Sequence, residues 1–115
     1  MDKKEIKKKY KLRPADMGIF QIRNLASGRV YIGRAQDLNG MLNSERFRLR
    51  NGLHANRELQ EDFRELGEES FEFTILDRQA DRGRGNAAAD LKELEELWLE
   101  KLRPFGRRGY HKERR

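Results

Sequence analysis

The chain has 115 residues, with 26 Lys or Arg against 20 Asp or Glu, which gives a formal net charge of +6. That length fits one domain, and the absence of cysteine excludes a disulfide framework, thiolate catalysis and Cys-ligated zinc or iron–sulfur sites. No apolar run approaches the roughly 20 residues that span a bilayer, and the charged N-terminus lacks the apolar segment of a secretory signal. We therefore expect a cytoplasmic protein without a membrane segment.

The basic residues are concentrated towards the two ends of the chain. Residues 1–13 carry a net charge of +5 and residues 101–115 carry +6, so the interior carries −5. Within the interior, 17–50 is +4 and 51–100 is −8. Basic segments bind the phosphate backbone of nucleic acids with release of counterions, so DNA is the expected partner and RNA the alternative. Short basic ends that only solubilise the protein are the competing interpretation.

The composition predicts three parts: a basic N-terminal arm at 1–14, a folded domain at 15–108 and a basic C-terminal tail at 109–115. The domain begins with two runs rich in β-branched and aromatic residues, MGIFQIRN and RVYIGRA. Between them, NLASG supplies the Asn, Ser and Gly that are typical of a hairpin loop. The first predicted element is therefore a β-hairpin.

Two helices and a third strand follow the hairpin. Asp37 is a candidate N-cap for a helix that stops near Gly52, and Asn56 is a candidate N-cap for a second helix that stops at Gly67. In SFEFTILD the apolar residues alternate with polar ones, which predicts a strand with one apolar face. The segment AAADLKELEELWLEKLRP is then the strongest helix of the chain, ended by its proline.

The last helix carries an acid among its apolar residues. At 100° per residue, Glu95 falls about 40° from Leu91, within the stripe that Trp98 and Leu102 share. A buried carboxylate without a partner is costly, so Glu95 requires a basic partner such as an arginine from the sheet, a hydrogen-bond network or a metal ion. The order β-β-α-α-β-α predicts an α+β domain, with a small three-stranded antiparallel sheet flanked by helices.

The second strand raises a similar question. Val30 and Ile32 point to one face, so strand alternation turns Tyr31 to the other face, where it either packs or takes part in chemistry. Gly33, within the same strand, indicates that another group, from the protein or from a ligand, approaches the backbone closely.

With GIF at 18–20, YIG at 31–33 and a late helix that carries Glu95, the sequence resembles the GIY-YIG nuclease superfamily. The resemblance covers 17–110, nearly the whole chain outside the basic arms. The segment HANRELQEDFRELGEESFEFTIL is similar to the second helix and third strand of the homing-endonuclease branch. The family resemblance implies a metal-dependent endonuclease that hydrolyses phosphodiester bonds in DNA.

The resemblance also implies roles for particular residues. Glu95 matches the ligand of one divalent ion, Mg²⁺ or Mn²⁺, and Tyr31 matches the tyrosine that contacts or deprotonates the attacking water. Arg34 matches a basic position that steadies phosphate, and His54 matches a histidine near the site. A tyrosine has a pKa of about 10 and needs nearby positive charge to act as a base at neutral pH.

Three positions depart from the family pattern. Phe20 replaces the tyrosine of the first motif, and Met41 replaces the usual arginine of the first helix, where it can instead pack in the core. Loss of such a charged contact costs about 2.7–4 kcal/mol by analogy with oxyanion donors, which predicts a 100–1000-fold slower enzyme. Arg46 and Arg48 on the same helix are candidates to replace it. His111 lies near a family Asn and is a candidate accessory residue.

The sequence therefore leaves three functions open. The first is the endonuclease, the second is a catalytically weakened or inactive family member that binds nucleic acid, and the third is a basic module whose tails bind RNA or an acidic protein. Nothing in the sequence indicates an oligomeric state. The predicted nucleic-acid-binding residues are Arg34, Arg46, Arg48, Arg107 and Arg108.

Overall fold

A computed structural model of the chain describes residues 16–79 and 86–112. The elements are β1 (Met17–Asn24), β2 (Val30–Ala35), α1 (Leu38–Arg50), α2 (Arg57–Leu66), β3 (Phe71–Gln79) and α3 (Ala87–Leu102). This order confirms the predicted β-β-α-α-β-α arrangement and the α+β class. The predicted arm at 1–14 lies outside the described residues. Within the described part of the chain, each helix is too short or too polar to traverse a bilayer.

The three strands form one antiparallel sheet in the order β2-β1-β3. In the central strand, Phe20 is opposite Gly33 of β2 on one side and Ile75 of β3 on the other. A register shift between Ile19 and Phe20 marks a bulge against β3. The strand that carries Tyr31, β2, is an edge strand of this sheet.

Each face of the sheet has its own apolar cluster. On one face, Phe20 and Ile22 of β1 pack with leucines of α1 and α2, and Tyr31 packs against this cluster. On the other face, Ile19 and Ile32 pack with Leu99 of α3. The predicted alternation in β2 is therefore confirmed, because Tyr31 and Ile32 belong to different clusters.

The predicted caps of α1 and α2 are confirmed. The side chain of Asp37 accepts a hydrogen bond from the N–H of Gly40 at 3.1 Å, and that of Asn56 accepts one from the N–H of Leu59 at 3.1 Å. Gly67 follows α2 with a φ of 84°, a left-handed conformation that favours glycine. These residues fix where α1 begins and where α2 begins and ends.

Residues 109–111 of the predicted tail pack on the domain. Tyr110 is only 4% exposed. Its hydroxyl donates to a carboxylate oxygen of Asp62 at 2.7 Å and accepts from the side-chain amide of Asn24 at 3.1 Å. The guanidinium of Arg29 lies 4.3 Å from the centre of the Tyr110 ring. This segment therefore ties the hairpin to α2, while residues 113–115 lie outside the described residues.

We expect Tyr110→Phe to lower the free energy of unfolding by about 1–3 kcal/mol, because it leaves the buried amide of Asn24 without its acceptor. Urea denaturation measures the change. Ser70→Ala removes an exposed hydroxyl that bonds the Leu66 carbonyl and is the matched control, with little expected effect. Equal stability of wild type and Tyr110→Phe would contradict the role given to this hydroxyl.

Candidate functional site

The hairpin holds Tyr31 beside a glycine that is required by packing. A Cβ atom at Gly33 would lie 2.4 Å from the ring of Phe20, so only glycine lets this ring cross the hairpin. The close neighbour predicted for Gly33 is therefore a protein side chain. The centre of the Phe20 ring lies 6.3 Å from the centre of the Tyr31 ring. Compared with the tyrosine that the resemblance implies at this position, Phe20 supplies the aromatic ring but no hydroxyl group.

Two histidines also hold the ring of Tyr31. His111 stacks on it, with centroids 5.1 Å apart and planes 5° from parallel. His54 meets it edge-on at 5.3 Å and 84°. The Nε2 of His111 accepts a hydrogen bond from the N–H of Ile32 at 2.9 Å, so its neutral ring carries the proton on Nδ1. Both histidines singled out in the sequence therefore lie against Tyr31.

His54 belongs to a buried polar network. Its Nδ1 accepts a hydrogen bond from the N–H of Asn56 at 3.0 Å, so the neutral ring carries its proton on Nε2 and donates it to a carboxylate oxygen of Glu45. The N–H of His54 donates to the side-chain oxygen of Gln60 at 3.0 Å. Since both ring nitrogens bond to the protein, His54 orients Tyr31 and does not contact substrate through either nitrogen.

Glu45 is a site residue that the sequence analysis missed. It is 4% exposed, although an unpaired carboxylate is costly to bury. A detectable signal existed, because Glu45 lies on the same face of α1 as Leu38, Leu42 and Leu49. The test that singled out Glu95 in the last helix would have found Glu45 in the first.

Burial and, to a smaller extent, the negative charges of Glu45 and Glu95 together raise the pKa of Tyr31 to about 12, against a lowering by Arg48. The Tyr31 phenol is therefore neutral at pH 7 and can donate a hydrogen bond. The positive charge that a tyrosine base requires is outweighed here by the two carboxylates.

Glu95 has one of the partners that its position in the apolar stripe predicted, an arginine from the sheet. Arg34 Nη1 donates to Glu95 Oε1 at 2.9 Å. The Arg34 side chain is 46% exposed and that of Glu95 is 18% exposed. An ion pair that is open to solvent on the arginine side contributes less than about 1 kcal/mol to stability. Arg34 can therefore exchange the Glu95 carboxylate for a phosphate at small cost.

The donor set limits how a metal ion could bind. Among residues 16–79 and 86–112, no group of three or more His, Asp or Glu side chains is placed to hold one. Within that part of the chain, Glu95 would therefore share an ion with at most one other such side chain. Mg²⁺ is commonly held by one or two carboxylates, several waters and the phosphates of a substrate, and Mn²⁺ also prefers oxygen ligands. These residues fit an ion that binds together with substrate.

A cleft of about 470 Å³ lies where the end of β2 meets α1 and the start of α3. Arg34 lines this cleft and also pairs with Glu95, so it connects the cleft to the Glu95 carboxylate. Met41 lines the cleft while packing against the core, and Arg48 brings a charge two turns along the same helix. The cleft is lined by Arg34, Ala35, Gln36, Asp37, Gly40, Met41, Ser44, Arg48, Ala88 and Leu91.

The other three predicted nucleic-acid-binding arginines are not among the residues that line this cleft. The guanidinium of Arg46 lies 4.6 Å from the centre of the Phe73 ring, on the side of α1 that faces β3. Arg107 and Arg108 line a separate cleft of about 450 Å³ on the α3 face of the hairpin. Of the two candidates to replace the helix arginine, only Arg48 lies in the cleft with Met41.

Two solved structures are similar to the chain. The catalytic domain of homing endonuclease I-TevI is 29% identical, with a TM-score of 0.68 over 82% of this chain and 95% of that one. A mutant of the catalytic domain of intron endonuclease I-TevI is 27% identical, with a TM-score of 0.65 over 76% of this chain and 84% of that one. No protein-family model and no curated protein matches the chain.

Replacing Glu45 by Gln should lower the pKa of Tyr31 from about 12, because it removes a negative charge while burial still acts on the phenol. Absorbance titration near 295 nm measures ionisation of the three tyrosines, and the difference from Tyr31→Phe assigns the step. Glu93→Gln, at an exposed position of α3, is the control and should leave the titration unchanged. An unaltered Tyr31 step in Glu45→Gln would contradict this electrostatic coupling.

Proposed function

Because the chain belongs to the GIY-YIG nuclease superfamily, we propose that it is a divalent-metal-dependent endonuclease that hydrolyses phosphodiester bonds in DNA. The observation that carries the proposal is the placement of Arg34, which lines the cleft and pairs with Glu95. DNA as substrate follows from the likeness to the catalytic domain of a homing endonuclease.

Arg34 and Arg48 are the residues that would bind the scissile phosphate. Both line the cleft, and a guanidinium donates two parallel hydrogen bonds to phosphate oxygens more readily than an ammonium does. As Arg34 turns to the phosphate, the oxygens of Glu95 become available to hold Mg²⁺ or Mn²⁺. When bound, such an ion stabilises negative charge on the phosphoryl group.

Tyr31 would position the attacking water. Its phenol is neutral at pH 7, since burial and two carboxylates raise its pKa to about 12. A neutral phenol orients a water by a hydrogen bond but does not take its proton, so water positioning fits Tyr31 better than general base catalysis. His54 and His111 would hold its ring, which restricts where the hydroxyl points.

Binding of nucleic acid without cleavage is the second candidate function. Two observations favour it. Met41 brings no charge to the cleft, and the pKa of Tyr31 is raised to about 12, which makes the phenol a poorer base at neutral pH. The cations Arg34 and Arg48 would still bind a phosphate backbone of DNA or RNA. Cleavage and binding assays on the same substrates separate the two functions.

We expect wild type to nick supercoiled plasmid DNA with Mg²⁺ or Mn²⁺, and Glu95→Gln to nick at least about 100-fold more slowly while still binding DNA in the absence of the metal ion. Gel electrophoresis measures nicking, and fluorescence anisotropy measures binding. Glu93→Gln, on the same helix, is the matched control and should retain activity. Equal nicking by Glu95→Gln and wild type would contradict the role of Glu95. DNA binding by a wild type that nicks neither DNA nor RNA would favour the second function.

Arg46 and Arg48 of α1 provide a second test. Arg48→Ala should lower the nicking rate by roughly 10-fold or more and reduce the salt dependence of DNA binding by about one phosphate contact. Arg46→Ala removes the same charge, but from a side chain that lies over Phe73 and not in the cleft. Its nicking rate and salt dependence should therefore fall less than those of Arg48→Ala. Equal losses in the two variants would indicate a general charge effect and contradict a specific contact by Arg48.

A further inference from the structure

The helix that lines the cleft also exposes an aromatic side chain. Phe47 is 62% exposed on α1, whose buried face is already supplied by leucines. Leu53, also exposed, lies at the same end of the helix, because its N–H donates to the carbonyl of Arg48 at 2.8 Å. Two large apolar side chains are therefore presented to solvent at the C-terminal end of α1.

Phe47 continues the helix strip that lines the cleft. It follows Gly40 by seven residues and Ser44 by three, and both of these line the cleft. Gly40 has no side chain and Ser44 a short one, so a chain bound in the cleft can lie close to this strip. Phe47 is about 4.5 Å along the helix from Ser44 and about 10 Å from Gly40. A nucleic-acid strand that rises about 3.4 Å per nucleotide therefore reaches Phe47 within about three nucleotides of the cleft.

The charge around Phe47 favours a polyanion as the molecule that covers it. Arg46 and Arg48 flank it in sequence, and the one acid of α1, Glu45, is buried and bonded to His54. Arg50 is already paired with Glu68 at 2.5 Å. Leu97 on α3 is equally exposed, at 63%, but lines a depression with Asp90 and Glu93.

We propose that Phe47, with Leu53 beside it, stacks on an unpaired or unstacked base of the nucleic acid whose phosphate lies in the cleft. The proposal rests on the proposed function and adds a substrate class to it: DNA with a base accessible next to the cleaved bond, as at a bulge or a single-strand junction. Every base has a flat aromatic face, so stacking on Phe47 is tolerant of sequence. A duplex without such a base offers Phe47 only a wedge position between base pairs, which costs unstacking.

Anisotropy with fluorescein-labelled DNA tests the contact, using a continuous duplex and the same duplex with one unpaired base. Phe47→Ala should weaken binding to the bulged duplex by roughly 10-fold and to the continuous duplex by less. The salt dependence should stay unchanged, because no charge is lost. Leu97→Ala, matched in exposure, should bind both DNAs within about twofold of wild type.

A tryptophan at the same position gives a direct readout of stacking. Phe47→Trp should keep the affinity, and its fluorescence should be quenched by the bulged duplex, whereas wild type, with Trp98 alone, should show little quenching. The stacking contact would be overturned if wild type binds DNA, Phe47→Ala binds it with equal affinity, and Phe47→Trp shows no quenching. That outcome would leave the nuclease proposal intact. If wild type binds neither DNA, the stacking contact and the proposed function fail together.

Discussion

The position of β2 at the edge of the sheet is the constraint on which the candidate site depends. Tyr31 and Arg34 are three residues apart in one strand, so their side chains leave opposite faces of the sheet. In a central strand these faces would be separated by neighbouring strands. At an edge, helix α1 reaches one face and helix α3 the other, and a cleft can form where β2 ends between them. The ring of Phe20 on Gly33 fixes the hairpin that creates this edge.

Two helices each bring a carboxylate towards this edge, and the protein compensates them differently. Glu95 pairs with the half-exposed Arg34, whereas Glu45 accepts a hydrogen bond from the buried His54. Both negative charges act on Tyr31 and raise its pKa, while Arg48 lowers it. An arginine at the position of Met41, which the family resemblance implies, would lie on the same helix face, four residues before Glu45. The local balance of charge is therefore more negative than a nuclease that uses this tyrosine as a base would require.

Much of the fold follows from local sequence, whereas the site depends on contacts between distant segments. Asp37, Asn56 and Gly67 cap their helices as their residue types indicate, because capping is decided within four residues. Glu95 was recognisable since periodicity alone places it on the apolar face. The packing of Tyr110 was not predictable in this way, because its partners are far away in sequence and no periodic pattern links them. The tautomers of the two histidines likewise depend on backbone groups that only the folded chain brings near.

The weakness of the ion pair between Arg34 and Glu95 has a thermodynamic consequence in the proposed function. A phosphate that takes Arg34 leaves the carboxylate of Glu95, only 18% exposed, without its cation. An uncompensated and partly desolvated carboxylate binds a divalent ion more strongly than one already paired. By linkage, Glu95 would leave Arg34 free when it holds an ion, and phosphate binding would be strengthened by the same factor. Substrate and metal ion would therefore bind cooperatively, which agrees with a site where fewer than three His, Asp or Glu side chains of the described residues could share an ion.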